Sequence, residues 1–226
     1  MLLLRAGATL LALGAGASAA APKPHIVYFL TDDYGYHDVS WTNPEATTPH
    51  LEALRAEGLT LNRFYVYQYC SPTRSSLMSG RLPIHVLTRL SSPCDESGAI
   101  PRNMTAIAAQ LKTLGYKTHQ VGKWDCGMAT PWHTPHGRGY DTSLNYFDHG
   151  NWMWTEAAWG GSYNHRGDIP LPTETIVDFW TTDQPANELN GTGYEEHLFR
   201  DRMVEILHNH PAGSPLYLNY DSKVAH

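Results

Sequence analysis

The stretch HIVYFLTDDYG, residues 25–35, decides the fold. Its first part, HIVYFL, is a continuous apolar run with β-branched and aromatic members. Such a run predicts a strand buried on both faces, as in a parallel sheet. The run ends on two adjacent carboxylates, Asp32 and Asp33. In open α/β sheets, ligands gather outside the C-terminal ends of the strands. Two like charges buried together call for a cation. An exposed turn, where aspartate is common, is the alternative reading of the same pair.

Working outward, the chain alternates strand and helix patterns. In TTPHLEALRAEG (residues 47–58), Thr48 is placed to cap a helix, Pro49 to open it and Gly58 to close it. LTLNRFYVYQ (59–68) reads as a second strand. SPTRSSLMSG (71–80) reads as a helix opening, with Pro72 in its first turn and Gly80 as its stop. A third helix is predicted over 103–115, with Ile107, Leu111 and Leu114 on one face. Residues 116–124 read as another strand, and residues 126–182 as loops and short elements. A long amphipathic helix over 195–210 carries Leu198, Met203, Ile206 and Leu207, and SPLYLNY follows as a strand. The expectation is an α/β fold with a mostly parallel central sheet flanked by helices.

The N-terminus MLLLRAGATLLALGAGASAA has one arginine, no acidic residue and the small-x-small pattern Ala17-Ser18-Ala19. Residues 1–20 therefore read as a secretory signal peptide, which leaves 21–226 as one domain. A membrane anchor is the alternative, but its apolar part falls short of the roughly 20 residues needed to span a bilayer. The formal net charge of −6 argues against a nucleic-acid partner. Asn103-Met104-Thr105 and Asn190-Gly191-Thr192 are glycosylation acceptor triplets that fit a secretory route, ending in secretion or the lysosome.

Three cysteines in an oxidising compartment leave one unpaired. Cys94 and Cys126 can pair, which makes Cys70 the odd one. It stands where a strand hands over to a helix whose N-terminus presents unpaired N–H groups. Arg74 lies one turn on, on the same side. A tetrahedral anion fits between the helix end and the guanidinium.

CSPTRSSLMSGR, beginning at Cys70, resembles the signature of the sulfatase family, within the alkaline-phosphatase superfamily. TDDYG, TPHLEALRAEG, GYKTHQVGKW and SPLYLNYDSKVAH resemble other family motifs in the family's order, notably in the arylsulfatase and N-acetylgalactosamine-4-sulfatase type. The resemblance implies that a formylglycine-generating enzyme oxidises Cys70 to formylglycine, whose hydrate attacks sulfur. It implies one calcium ion held by Asp32, Asp33 and residue 70. Arg74 matches the residue that holds the formylglycine hydroxyl, Lys123 a sulfate-contacting lysine, and His226 a histidine near the leaving group. The implied partner is a sulfated glycan or aryl sulfate.

Two departures from the family pattern stand out. Asp125 occupies the place of a histidine after Gly-Lys-Trp; as a carboxylate it can accept a proton but cannot donate one when ionised. His133 and His136 are spatial substitutes to be tested. Further family ligands, an Asp–Asn pair and a second lysine, follow the position matched by His226, so the chain reads as an N-terminal fragment whose fold is incomplete at the C-terminus. Besides a sulfatase, the sequence supports a related phosphoester or phosphonate hydrolase, or a protein that binds sulfated sugars without turnover.

Overall fold

The computed structural model describes residues 22–86, 98–147, 179–189 and 193–225. The sequence expectations at residues 1–20, Cys94, Asn190 and His226 lie outside them. Six strands form one sheet: β1 (Ile26–Thr31), β2 (Lys117–Lys123), β3 (Thr142–Tyr146), β4 (Trp180–Thr181), β5 (Gln184–Pro185) and β6 (Leu216–Ser222). Their order is β1-β6-β2-β3-β4-β5. The first four neighbours run parallel, and the short β4 and β5 pair antiparallel at one edge. The predicted mostly parallel α/β sheet is therefore present.

The described residues form four α-helices: α1 (Pro49–Glu57), which buries none of its residues, and α2 (Cys70–Ser79), α3 (Ile107–Thr113) and α4 (Glu195–Asn209), which pack on the sheet. Strand alternation sends Leu216, Leu218 and Tyr220 of β6 to one face, where they meet Phe199 and Ile206 of α4. Tyr217 points the other way, to Met78 of α2, Ala108 of α3 and Trp124. No helix among the described residues is long and apolar enough to cross a membrane.

The structure corrects several local expectations. Residues 59–68 form no strand; they are turns and irregular chain with Leu59, Phe64 and Tyr65 exposed. Apolar content alone suggested the strand, yet no described neighbour offers it a ladder of hydrogen bonds or a face to cover. β1 is not buried on both faces either. It is an edge strand, and Val27 and Phe29 are half exposed because no described element covers them. Helix α3 starts at Ile107, later than predicted, because Arg138 takes the carbonyls of Pro101 and Met104 and holds that approach in turns. Strand β3 lies inside the stretch expected to be loops. It is buried from Ser143 to Tyr146 and sits against β2.

Candidate active site

Helix α2 begins at Cys70, after an extended Tyr69. It ends at Gly80, whose φ of 67° is the left-handed conformation glycine adopts without cost. The helix is mostly polar yet largely buried. Its hydroxyls turn inward on its own backbone: Ser75 donates to the Pro72 carbonyl and Ser79 to that of Ser75. Met78 anchors it below Tyr140, whose hydroxyl donates to the Met78 sulfur at 3.2 Å. The first turn of α2 thus faces the C-terminal ends of β1, β2 and β6. A cavity of about 350 Å³ opens there, lined in part by Asp32, Asp33, Tyr67, Tyr69, Cys70 and Arg74.

Asp32 is buried at the end of β1, its N–H donating to the Ser222 carbonyl. Its Oδ2 accepts a hydrogen bond from Lys123 Nζ at 2.6 Å and stands 3.8 Å from Arg74 Nη2. Asp33 is exposed with φ at 49°. Lys123, the last residue of β2, is fully buried, places its charge near the Cys70 thiol and lies 3.9 Å from Asp125 Oδ2. Asp125 is buried too, with Oδ1 accepting from the Ser71 hydroxyl at 2.9 Å. Arg74 Nη1 donates to the Lys123 carbonyl at 3.1 Å and contacts Asp221 Oδ1 at 2.9 Å. Cys70, Arg74, Lys123, Asp125 and Asp32, picked out separately in the sequence, therefore meet at one place, with Asp33 on its rim.

The electrostatics follow from burial among charges. Burial pushes the Cys70 thiol up; Lys123 pulls it down, and Asp125 and Asp32 add to the rise. The thiol is thus protonated at neutral pH and, unmodified, is a poor nucleophile. Burial works against the Arg74 charge, but Asp221, Asp32 and Asp125 outweigh it and hold the guanidinium ionised. Burial raises Asp221 to about 6 despite the pull of Arg74.

The buried carboxylates Asp32, Asp125 and Asp221 outnumber the buried cations Arg74 and Lys123 by three to two. That excess of negative charge and the hard oxygen donors of Asp32 and Asp33 suit a divalent cation in chemistry. The described residues contain no ready group of three or more ligands, so the set fits as a partial shell.

Asp221 and Ser71 are site residues that sequence reading misses. The signal for Asp221 was a lone aspartate in an apolar strand; Ser71 has none, since nothing local sets it apart from other helix serines. Of the two spatial substitutes for the missing histidine, His133 shares a hydrogen bond with the Thr130 hydroxyl and His136 with the Tyr140 carbonyl, and neither bond reaches residue 70. Cys126 is a buried free thiol, so the Cys94 pairing is not formed at its described end. Asn103 is exposed, as a glycosylation acceptor must be.

A parallel α/β sheet carrying a buried charge network at its strand ends defines a ligand-binding or hydrolytic α/β domain. The family model described as Sulfatase matches residues 24–220, and the chain belongs to the sulfatase family. It is 28% identical over 214 residues to arylsulfatase J of Mus musculus, covering 92% of this chain and 33% of that protein. It is 39% identical over 122 residues to arylsulfatase A of Homo sapiens, covering 53% and 24%. Among solved structures, Ps i-CgsB superposes with a TM-score of 0.74 at 23% identity, covering 90% of this chain and 46% of that one, a likeness of fold. The chain thus spans less than half the length of these relatives.

Proposed function

We propose that this chain carries the nucleophile-bearing part of a sulfatase that hydrolyses aryl or carbohydrate sulfate esters, with Cys70 matured to formylglycine. The observation that carries the reading is the placement of Cys70. It opens a buried helix, lies near the charge of Lys123 and borders the cavity that Asp32 and Asp33 line, yet its thiol is held protonated. Such a position suits a nucleophile only once the sulfur is replaced.

In the proposed reaction one hydroxyl oxygen of the aldehyde hydrate bonds to sulfur and gives up its proton. The S–O bond to the alcohol breaks, and the departing oxygen takes a proton, for which His226 is the candidate donor. Lys123 stabilises charge growing on the ester oxygens. The second hydroxyl then loses its proton, its carbon–oxygen bond becomes the carbonyl, and the bond to the sulfated oxygen breaks to release sulfate. Asp125 is the candidate acceptor in that step. Water restores the hydrate. Asp32, Asp33 and the oxygen of modified residue 70 are the residues that would hold calcium, which supplies charge neutralisation and acidifies a bound hydroxyl.

Maturation requires a formylglycine-generating enzyme and passage through the secretory pathway, led by residues 1–20, to secretion or the lysosome. N-glycans at Asn103 and Asn190 belong to the same route. Asp125 in place of histidine favours one second reading, a protein that binds sulfated sugars without turning them over.

Mass spectrometry of the peptide containing residue 70, from secreted full-length protein, tests the proposal. An aldehyde is expected; an ordinary thiol sinks the enzymatic account. Cys70→Ala should abolish turnover of an aryl sulfate while keeping the fold, and Cys70→Ser should trap a sulfated enzyme. A matched phosphate ester of the same phenol should be hydrolysed far more slowly; faster hydrolysis would favour a phosphoesterase.

A further inference from the structure

The buried charge network holds one member that the proposed reaction does not use. Asp221 lies next to the end of β6, between β1 and β2, paired in register with Leu30 and Gly122. The alternation that sends Tyr220 to α4 turns Asp221 toward α2, together with Tyr217 and Asn219. It is fully buried. Its Oδ1 meets Arg74 Nη1 at 2.9 Å, and its Oδ2 accepts from Gln120 Nε2 at 3.2 Å and from Asn219 Nδ2. Gln120 and Asn219 are themselves paired across β2 and β6, so the carboxylate is held by two core strands.

Stability does not explain a carboxylate here. Well-packed apolar side chains commonly replace buried ion pairs at no loss. What the carboxylate does is divide a crowded site. Arg74 has two acidic neighbours, Asp221 at 2.9 Å and Asp32 at 3.8 Å. Lys123 already holds the same Asp32 oxygen at 2.6 Å. Without the charge of Asp221, the guanidinium would be drawn onto Asp32 and would compete with Lys123 for the same carboxylate oxygen.

We propose that Asp221 is a positioning residue: it anchors the Arg74 guanidinium from below and keeps Asp32 for Lys123 and the cavity beside residue 70. This inference rests on the sulfatase reading for its catalytic consequence, but the anchoring stands on geometry alone.

The test combines Asp221→Asn, Arg74→Ala and the double variant in the secreted full-length protein. Each is measured by aryl sulfate turnover and by urea unfolding. Asp221→Asn should lower kcat about ten- to a hundredfold, as a misplaced reacting geometry does, while KM stays within threefold. In the Arg74→Ala background the same replacement should cost nothing further, in kcat or in urea midpoint. Asp221→Asn turnover within twofold of wild type, or losses that add with Arg74→Ala in both measurements, would overturn the inference. Wild-type protein without turnover, but with non-additive urea midpoints, would remove the sulfatase reading and leave the anchoring in place.

Discussion

Replacing Gly122 with alanine should be among the most damaging single-atom additions to this protein. Gly122 sits on β2 with φ at 98°, outside the region open to residues with a Cβ. That conformation alone costs about 1–3 kcal/mol. A Cβ there would lie 2.0 Å from the Asp221 carbonyl oxygen and 2.8 Å from its carbonyl carbon, whereas ordinary contact begins at 3.4 Å. Relief needs a separation of about 1.4 Å, the difference between those two distances, and both obstacles are backbone. β6 cannot retreat freely, since its other side is paired with β1. Parting β2 from β6 at this end weakens one or two ladder hydrogen bonds at about 1 kcal/mol each. The sum is about 2–5 kcal/mol, a large share of the 5–15 kcal/mol typical of a domain. Gly213→Ala is the control: its φ of 83° is also left-handed, but nothing lies within 4 Å of the new Cβ. Urea unfolding followed by tryptophan fluorescence should place Gly122→Ala at least about 1 kcal/mol below Gly213→Ala, with about 1 kcal/mol of conformational cost in the control. If the two variants unfold within about 0.5 kcal/mol of each other, close approach of β2 and β6 is not what Gly122 serves.

Other outcomes follow from the same geometry. Burial lowers His119 to about 4, and its Nδ1 bonds the Thr142 hydroxyl at 2.7 Å. A depressed imidazole binds fewer protons folded than unfolded, so its contribution is intact above pH 6.5 and is lost as pH falls from there toward 4. His119→Gln should flatten the change in urea midpoint between pH 7 and pH 5, and an unchanged slope would rule the histidine out as its source. Lys123→Met leaves the buried Asp32 carboxylate without its 2.6 Å partner. It should cost about 3–5 kcal/mol by calorimetry, less what Arg74 recovers by moving closer, and should abolish turnover.

Local signals carried much of the reading where one physical cause dominates. The 195–210 helix announced itself by its apolar period; Ile206 is buried and Leu198 and Met203 pack beside it as read, but Leu207 is exposed and Phe199 fills the buried place instead. The stop at Gly80 was readable because glycine alone takes that turn freely. Residues 59–68 misled because apolar content indicates burial only when a neighbour exists to bury against, and a single chain does not say where its neighbours lie. β3 escaped notice for the converse reason: Ser143 and Asn145 break the apolar pattern, yet the strand is buried, with the Ser143 hydroxyl donating to Asn145. Asp221 was hidden similarly. Its chemistry lies in Arg74, 147 positions away, and only the β1-β6-β2 order brings the two together.

That order also bears on Asp125, the residue that departs from the family pattern. A carboxylate placed beside an anionic substrate adds repulsion unless its charge is met locally. Here Ser71 donates to one oxygen, and Lys123 stands 3.9 Å from the other. Lys123 in turn is shared with Asp32 at 2.6 Å, so a single ammonium answers for two carboxylates. Arg74 is felt by Asp125 as well, but its close contact is with Asp221 at 2.9 Å. Three buried carboxylates, Asp32, Asp125 and Asp221, thus share two buried cations, Arg74 and Lys123. A histidine at position 125 would close that gap when protonated and would donate to a departing sulfate. A carboxylate accepts a proton from the hydrate and donates none while ionised. In the proposed reaction, the substitution would shift the charge requirement from the protein to a bound cation and would confine position 125 to accepting a proton.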